Sequence, residues 1–567
     1  MSARLRDRVR GLDGKPYGAY KNTLGRWGFE DFELSIDHVQ GDPFAAPSRV
    51  SVRIAPPDLG PMVSLLGEPA RATGVADALI RRFARIAKAS SAKTGSGKSG
   101  MIAIDEPGAQ VLVRSALQVD EEGLEARFFV GLPAAGRRIL GRAAAALLTE
   151  TLPDIVRRAL LTPESGLSGL RRAAEVNEDA EALRAQLVPN RHVAFVADGS
   201  VLPRLSGASS EPMGKGAIPF RSPESMATQY HTPNGGTVRG MGVPEGMTLI
   251  VGGGFHGKST LLRALELGVW NHRPGDGRER VVTRRNGVKV RAEDGRAAHS
   301  VDVSAYIGAL PSGASTERFS TANASGSTSQ AVNVAEALEM GASVLLIDED
   351  TAATNFMSRD RIMAQLVASA CEPIRPFSRV APGLVSSGAT SLVMAMGATS
   401  AFLPHADRVI HMNEYKAMDV TNRARGLSET AREREESVNA SAPAFRARRL
   451  RPHTIPGMGD RGFRFRTHGR QGFQLGEAEV DLRLWEQLVS TSQLRAMAAT
   501  IGEIVREAPR EGAVDLAELC HRWEARMSKL GWDSREGKPA VDHAEFRAVD
   551  LAAALNRIRE AQFLVRD

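Results

Sequence analysis

Residues 247–262 read Met-Thr-Leu-Ile-Val-Gly-Gly-Gly-Phe-His-Gly-Lys-Ser-Thr-Leu-Leu. Gly252, Gly257, Lys258 and Ser259 satisfy G-x-x-x-x-G-K-[ST] in full, after an apolar run that reads as a strand (249–251) and before one that reads as a helix (261–265). Glycines permit a tight loop whose N–H groups point inward at phosphate oxygens, and the next helix turns its positive end toward the same anion. Gly252, Gly253, Gly254, Phe255, His256, Gly257, Lys258, Ser259 and Thr260 are therefore the candidate nucleotide-binding residues. Lys258 is expected to reach the β- and γ-phosphates, and the Ser259 hydroxyl to ligate Mg²⁺. Residues 343–350 read Ser-Val-Leu-Leu-Ile-Asp-Glu-Asp, the continuous apolar run of a central parallel strand. Asp348 at its end is placed to hold Mg²⁺, usually through water, and Glu349 to orient and polarise an attacking water. Phosphoryl transfer needs mainly such positioning and charge stabilisation. ATP and Mg²⁺ are thus the expected ligands.

Other segments carry weaker signals. Residues 320–330 (Ser-Thr-Ala-Asn-Ala-Ser-Gly-Ser-Thr-Ser-Gln) precede an expected helix at 331–339, and read either as a low-complexity loop or as an anion site at a helix start. Residues 92–99 (Ala-Lys-Thr-Gly-Ser-Gly-Lys-Ser) imitate a phosphate loop, but the first glycine is missing and the helix precedes the loop instead of following it; Lys93–Ser99 reads as a basic surface turn. Residues 280–291 read as a charged β-hairpin about Asn286-Gly287. Residues 444–473 hold eight arginines against Asp460 alone, with phenylalanines among them. Arg446, Arg448, Arg449, Arg451, Phe463, Arg464, Phe465 and Arg466 are the candidate contacts if this stretch binds RNA or single-stranded DNA; the other reading is a solvated basic linker. Asp37, His38 and Asp42 read as a structural turn, and no zinc spacing or Ser-His-Asp constellation stands out.

The elements that must position these residues fall into several domains. The chain has 567 residues, 42% hydrophobic and 25% charged, too long for one core and too apolar for wholesale disorder. The net charge is +7, and 62 of the 73 basic residues are arginine. Two cysteines, Cys371 and Cys520, cannot make a disulfide framework and suit a reducing compartment. No signal peptide or membrane span is expected, so the location is read as cytoplasmic. Residues 1–200 read as α+β, with strands at 49–54 and 124–130 and helices at 133–150, 154–161 and 178–187. Residues 201–425 show the α/β alternation, 426–474 read as an arginine-rich linker or arm, and 475–567 as mainly helical.

The phosphate loop, the acidic strand and the blocks around them resemble the predicted ATPases of the ABC class, proteins without a membrane domain. The most specific matches are 324–330 and 348–357 (Asp-Glu-Asp-Thr-Ala-Ala-Thr-Asn-Phe-Met), joined by 14–21, 36–44 and 131–142 in the N-terminal part. The resemblance implies an α/β P-loop NTPase core of ABC type, flanked by an α+β N-terminal domain and a mainly helical C-terminal domain. It also implies a homodimer with composite ATP sites, in which Ser325, Gly326, Ser327, Thr328, Ser329 and Gln330 act as a signature toward the partner's nucleotide. Two departures stand out. Transport-type relatives carry a glutamine before the signature, and 301–311 have none; they carry a switch histidine after the strand that follows the acidic strand, and 397–400 read Gly-Ala-Thr-Ser. Turnover is therefore expected to be slow. The expected function is an ATPase that clamps RNA or DNA. The alternatives are a non-hydrolysing ATP-dependent binding or scaffold module and a P-loop kinase-like metabolic enzyme.

Overall fold

The computed structural model describes residues 2–161, 166–207, 209–367, 371–432, 446–460, 462–508, 512–533 and 539–565. The chain divides into two compact units, Met1–Glu178 with Met527–Glu545, and Asp179–Arg526 with Phe546–Asp567.

The first unit is built on an antiparallel sheet ordered Gly25–Gly28, Glu33–His38, Ser48–Ile54, Gly123–Val130 and Ile102–Ala103, with Leu117–Asp120 also on Gly123–Val130. Alternation along 49–54 and 124–130 is what the sequence offered, and the inward residues Val50, Val52, Leu124, Ala126 and Phe128 are buried. Phe128 meets Phe83 of the helix Pro69–Ser90 at 4.9 Å between ring centroids. Burying such aromatic and β-branched side chains stabilises by roughly 1.5–3 kcal/mol each. The helix expected at 133–150 begins only at Gly141, because Ala134–Ala135 and Arg138–Ile139 form a short hairpin first. It then runs through a wide π turn, Leu147–Thr151, straight into Leu152–Leu160. Pro153 explains the wide turn, since it has no N–H for an i−4 bond.

The second unit carries a six-stranded sheet ordered Val288–Val290, Val344–Asp348, Ser391–Met396, Met247–Val251, Arg408–Asn413 and Lys416–Asp419. All pairings are parallel except the last, which is antiparallel. Leu249, Ile250, Leu345, Leu346, Ile347 and Val393 are buried, as central strands covered on both faces must be. A four-stranded antiparallel sheet, ordered Ala227–Thr232, Gly236–Pro244, His192–Ala197 and Val281–Thr283, lies in the same unit.

The hairpin expected at 280–291 does not form. Val281–Thr283 pairs with His192–Ala197 and Val288–Val290 with Val344–Asp348, so the two arms join different sheets. Val281, Val282, Val288 and Val290 are all buried, and each arm needs its own sheet to bury them. Neither Asn286 nor Gly287 takes the positive φ of a tight hairpin turn, and Asn286 is instead tied to the Gly341 carbonyl at 2.7 Å.

The expected arm is also folded where it is described. Arg448–Arg451 is the middle strand between Val514–Asp515 and Gln562–Val565, and Phe465–Thr467, Gly472–Leu475 and Ala478–Asp481 form a meander. Residues 433–445 and Arg461 lie outside the described residues. Residues 475–567 carry the helices Thr491–Glu507, Leu516–Lys529 and Ala548–Asn556 with the short strands Ala478–Asp481, Val514–Asp515 and Gln562–Val565. Among the described residues no helix is long and apolar enough to cross a membrane.

Candidate functional site

The parallel sheet brings the candidate residues to one edge. Val251 pairs with Met396, and Asp348 with Ala395, so the segments after three adjacent strands emerge together at their C-terminal ends. Ligands bind at that edge in open α/β sheets.

The phosphate loop leaves the strand at Gly252, whose φ of +146° a side chain rarely adopts and where a Cβ would lie 2.4 Å from the Met412 carbonyl oxygen. It ends at Gly257, φ +100°, just before the helix Lys258–Leu267. A Cβ there would meet the Tyr415 ring at 2.8 Å. His256 binds the turn after Arg408–Asn413: its Nδ1 accepts from the Glu414 N–H at 2.9 Å, and its carbonyl from Tyr415 N–H at 3.1 Å. Phe255 is wholly exposed, Gly253, Gly254 and Ser259 are exposed, and Lys258 donates to the Gly253 carbonyl at 2.9 Å. Thr260 faces a small apolar pocket with Leu202, Pro203, Ile218, Phe220 and Tyr415.

Asp348 is buried and caps the turn Glu349–Thr351 through the Asp350 N–H at 3.2 Å. Glu349 accepts three backbone N–H bonds from the segment after Ser391–Met396: Gly397 at 2.5 Å and Ala398 at 2.8 Å on Oε2, and Thr399 at 3.2 Å on Oε1. A Cβ built on Gly397 would stand 3.7 Å from both Lys258 Nζ and Glu349 Oε2, which locates these groups beside one another. The Ser259 hydroxyl and the Asp348 carboxylate are hard oxygen donors, the type that Mg²⁺ takes together with water and substrate phosphate. Among the described residues there is no group of three or more His, Cys, Asp or Glu that could hold a metal ion.

The signature segment starts its helix earlier than expected, at Gly326, with Ser325 as N-cap. Only half of it faces outward. Ser327, Ser329 and Gln330 are buried: Ser327 donates to Asn355, Ser329 to the Gly326 carbonyl at 2.8 Å, and Gln330 accepts from Ala353 N–H at 2.7 Å. The Ser327 and Gln330 side chains hold the helix on residues 353–357, and Ser329 Oγ accepts from Glu293 N–H at 2.8 Å. Ser325, Gly326 and Thr328 remain accessible, with the two hydroxyls 3.1 Å apart.

The arginine segment is divided in the same way. Arg448 is 1% exposed, donates to the Glu339 carboxylate at 2.5 and 2.9 Å and to the His299 carbonyl at 3.0 Å, and lies over the Phe563 ring. Burial alone would lower its pKa, but Glu339 and Glu336 outweigh it and raise it. Arg448 is a core ion pair and is removed from the nucleic-acid candidates. Phe463 is half-buried against Gly457 and Gly502. Arg446 pairs with Glu317 at 2.8 Å, Arg449 donates to the Ala513 carbonyl, and Arg451 reaches Gln562 at 3.5 Å. Arg464, Phe465 and Arg466 are exposed.

Residues 93–99 are a packed turn. The N–H groups of Ser96, Lys98 and Ser99 go to the carbonyls of Ala134, Pro43 and Ser96, and Lys98 Nζ goes to that of Ala45 at 3.0 Å. Those donors are spent on the fold. Sequence reasoning missed three contributors: the amides of 397–399, the 413–416 turn and the apolar lining at 202–220. No residue type in the sequence marked any of the three.

Comparison with known proteins matches this layout. Residues 2–162 match the family model of the N-terminal domain of ATPases of the ABC class, and 167–448 match the ABC ATPase P-loop domain. Residues 464–564 match the MRB1590 C-terminal domain. The uncharacterized protein MJ1628 of Methanocaldococcus jannaschii is 27% identical over 211 residues, 36% of this chain and 46% of its own length. The chain thus spans about half the length of that curated relative. CbiO1 of Clostridium perfringens, part of the ABC transporter complex cbiONQ, is 15% identical, with a TM-score of 0.27 over 43% of this chain and 94% of its own. A phosphate loop and an acidic strand on one parallel sheet, within two adjoining family models that together run from residue 2 to residue 448, place this chain in the family of ABC-class ATPases.

Proposed function

We propose that the protein binds Mg·ATP and hydrolyses it slowly, as a homodimer whose two sites are each completed by the partner. The observation that carries this reading is the convergence of Lys258, Asp348 and Glu349 at the C-terminal edge of one parallel sheet. Loop amides and Lys258 bind the phosphates, with Lys258 exchanging the Gly253 carbonyl for phosphate oxygen. Ser259 directly, and Asp348 through water, would hold Mg²⁺, which when bound neutralises phosphate charge. Glu349 places the water in line with the γ-phosphate. Ser325, Gly326 and Thr328 of one protomer offer hydroxyls and a helix start to the other's nucleotide.

The output is clamping of RNA or single-stranded DNA, with exposed Arg464, Phe465 and Arg466 as the candidate contact. A cytoplasmic location accords with this work. The alternative of a non-hydrolysing scaffold is separated by phosphate release from the pure protein: steady release that Lys258→Ala abolishes supports the ATPase. Phosphate transfer to a small-molecule acceptor, without ATP-driven dimerisation, would favour the kinase-like alternative instead.

A further inference from the structure

The loop that lacks a switch histidine still grips the carboxylate. Residues 397–400 are Gly-Ala-Thr-Ser, with no side chain able to act as an imidazole would. Their backbone does act: three successive N–H groups converge on Glu349. The two oxygens are engaged unequally. Oε2 takes the short bonds from Gly397 and Ala398, at 2.5 and 2.8 Å, while Oε1 takes only the Thr399 bond at 3.2 Å. A carboxylate offers about four lone-pair sites, so Oε2 is filled and Oε1 keeps one. Such an amide nest is rigid and carries fixed partial charge toward an anion. Its position is set by strand register, since Met396 lies beside Val251 and Ala395 beside Asp348.

We propose that the Gly397–Ala398–Thr399 backbone is the positioning device of the ATPase site: it anchors Glu349 by Oε2 and leaves Oε1 to polarise the water. The proposal rests on the ATPase reading above and adds to it an orienting group made of main chain. A Cβ at 397 would make only ordinary contact, 3.7 Å from Lys258 and from Glu349, and a longer side chain would grow into the space between them.

The experiment replaces the Ala398 amide by an ester, incorporating lactic acid at that position in the full-length chain, so that one N–H is lost at nearly constant shape. Ala398→Pro is the genetic counterpart, and Ser400→Ala, exposed beyond the three donors, is the control. Steady-state phosphate release, ATP affinity and thermal stability are measured on all three, beside wild type and Glu349→Gln. The expected result is a fall in kcat of about 10- to 100-fold in the ester and proline variants, a size typical of a misplaced catalytic group. ATP affinity should stay within about twofold, and Ser400→Ala should keep wild-type turnover. Wild-type kcat in the folded ester variant, with Glu349→Gln inactive, would overturn the nest and leave the ATPase reading intact. No turnover in the wild type itself would overturn both.

Discussion

Glu349 and Lys258 are tied to partners that a bound nucleotide would share or replace. Glu349→Gln keeps size but offers one acceptor oxygen, and its NH₂ would face N–H donors in the nest. Turnover should fall by about 10²-fold or more while ATP still binds, measured by phosphate release and by equilibrium binding of labelled ATP. Lys258→Ala should instead weaken ATP binding itself, seen as a rise in Kd in the same assay. The place of both at the sheet edge was legible in the sequence, Lys258 from the Gly-rich loop before it and Glu349 from the apolar run that precedes it. The nest at 397–399 was not, because backbone donors have no residue-type signature. The inward turn of Ser327, Ser329 and Gln330 was hidden too, since a helix start at Gly326 instead of 331 changes which side chains face out.

At the scale of elements, the signature-bearing helix Gly326–Glu339 is held by buried ion pairs. Arg448 from the strand Arg448–Arg451 meets Glu339, and Arg296 meets Glu336 at 2.8 Å. Arg448→Ala would leave Glu339 buried without its partner, at a cost of about 3–5 kcal/mol. Exposed Arg464→Ala should stay within about 0.5 kcal/mol, and thermal or denaturant melts of the two variants make the comparison. His299 stacks on Phe563 in the same cluster, and burial, with Arg448 and Arg296 acting against Glu336, lowers its pKa to about 4. The unfolded chain therefore binds a proton at this site near pH 6.5 and the folded chain only near pH 4. Stability contributed here is intact above pH 6.5 and falls on acidification between those values, by at most about 3 kcal/mol. Melts of wild type and His299→Gln from pH 7 to pH 4 should show a flatter acid limb in the variant. Composition alone concealed this: an arginine-rich stretch reads as solvated or nucleic-acid binding until its carboxylate partners, more than a hundred residues away in the chain, are seen. Periodicity served better within single strands such as 247–251 than for 281–290, where a turn signal suggested pairing that long-range burial overrode.

For the whole molecule, the accessible Ser325, Gly326 and Thr328 lack a ligand from their own chain in the proposed mechanism, so ATP should drive association. Glu349→Gln with Mg·ATP should double in mass by light scattering, and a mass unchanged by ATP would remove the composite-site proposal. Single-stranded RNA or DNA should bind in a salt-sensitive way, with Arg464→Ala and Arg466→Ala together weakening it and lowering the salt slope by about 2. A blank gel shift at low salt, with and without ATP, would remove the clamp. The nucleotide fold was readable from two short motifs because phosphate chemistry constrains them tightly, whereas the strand Arg448–Arg451 within the expected arm was not, since it pairs across long sequence separations. Hydrolysis of ATP by Glu349 at the sheet edge is read out by single-turnover phosphate release from the pure protein, wild type against Glu349→Gln. Slow release by the wild type and retention of intact ATP by the variant are expected; equal release rates from the two proteins would rule out hydrolysis by Glu349.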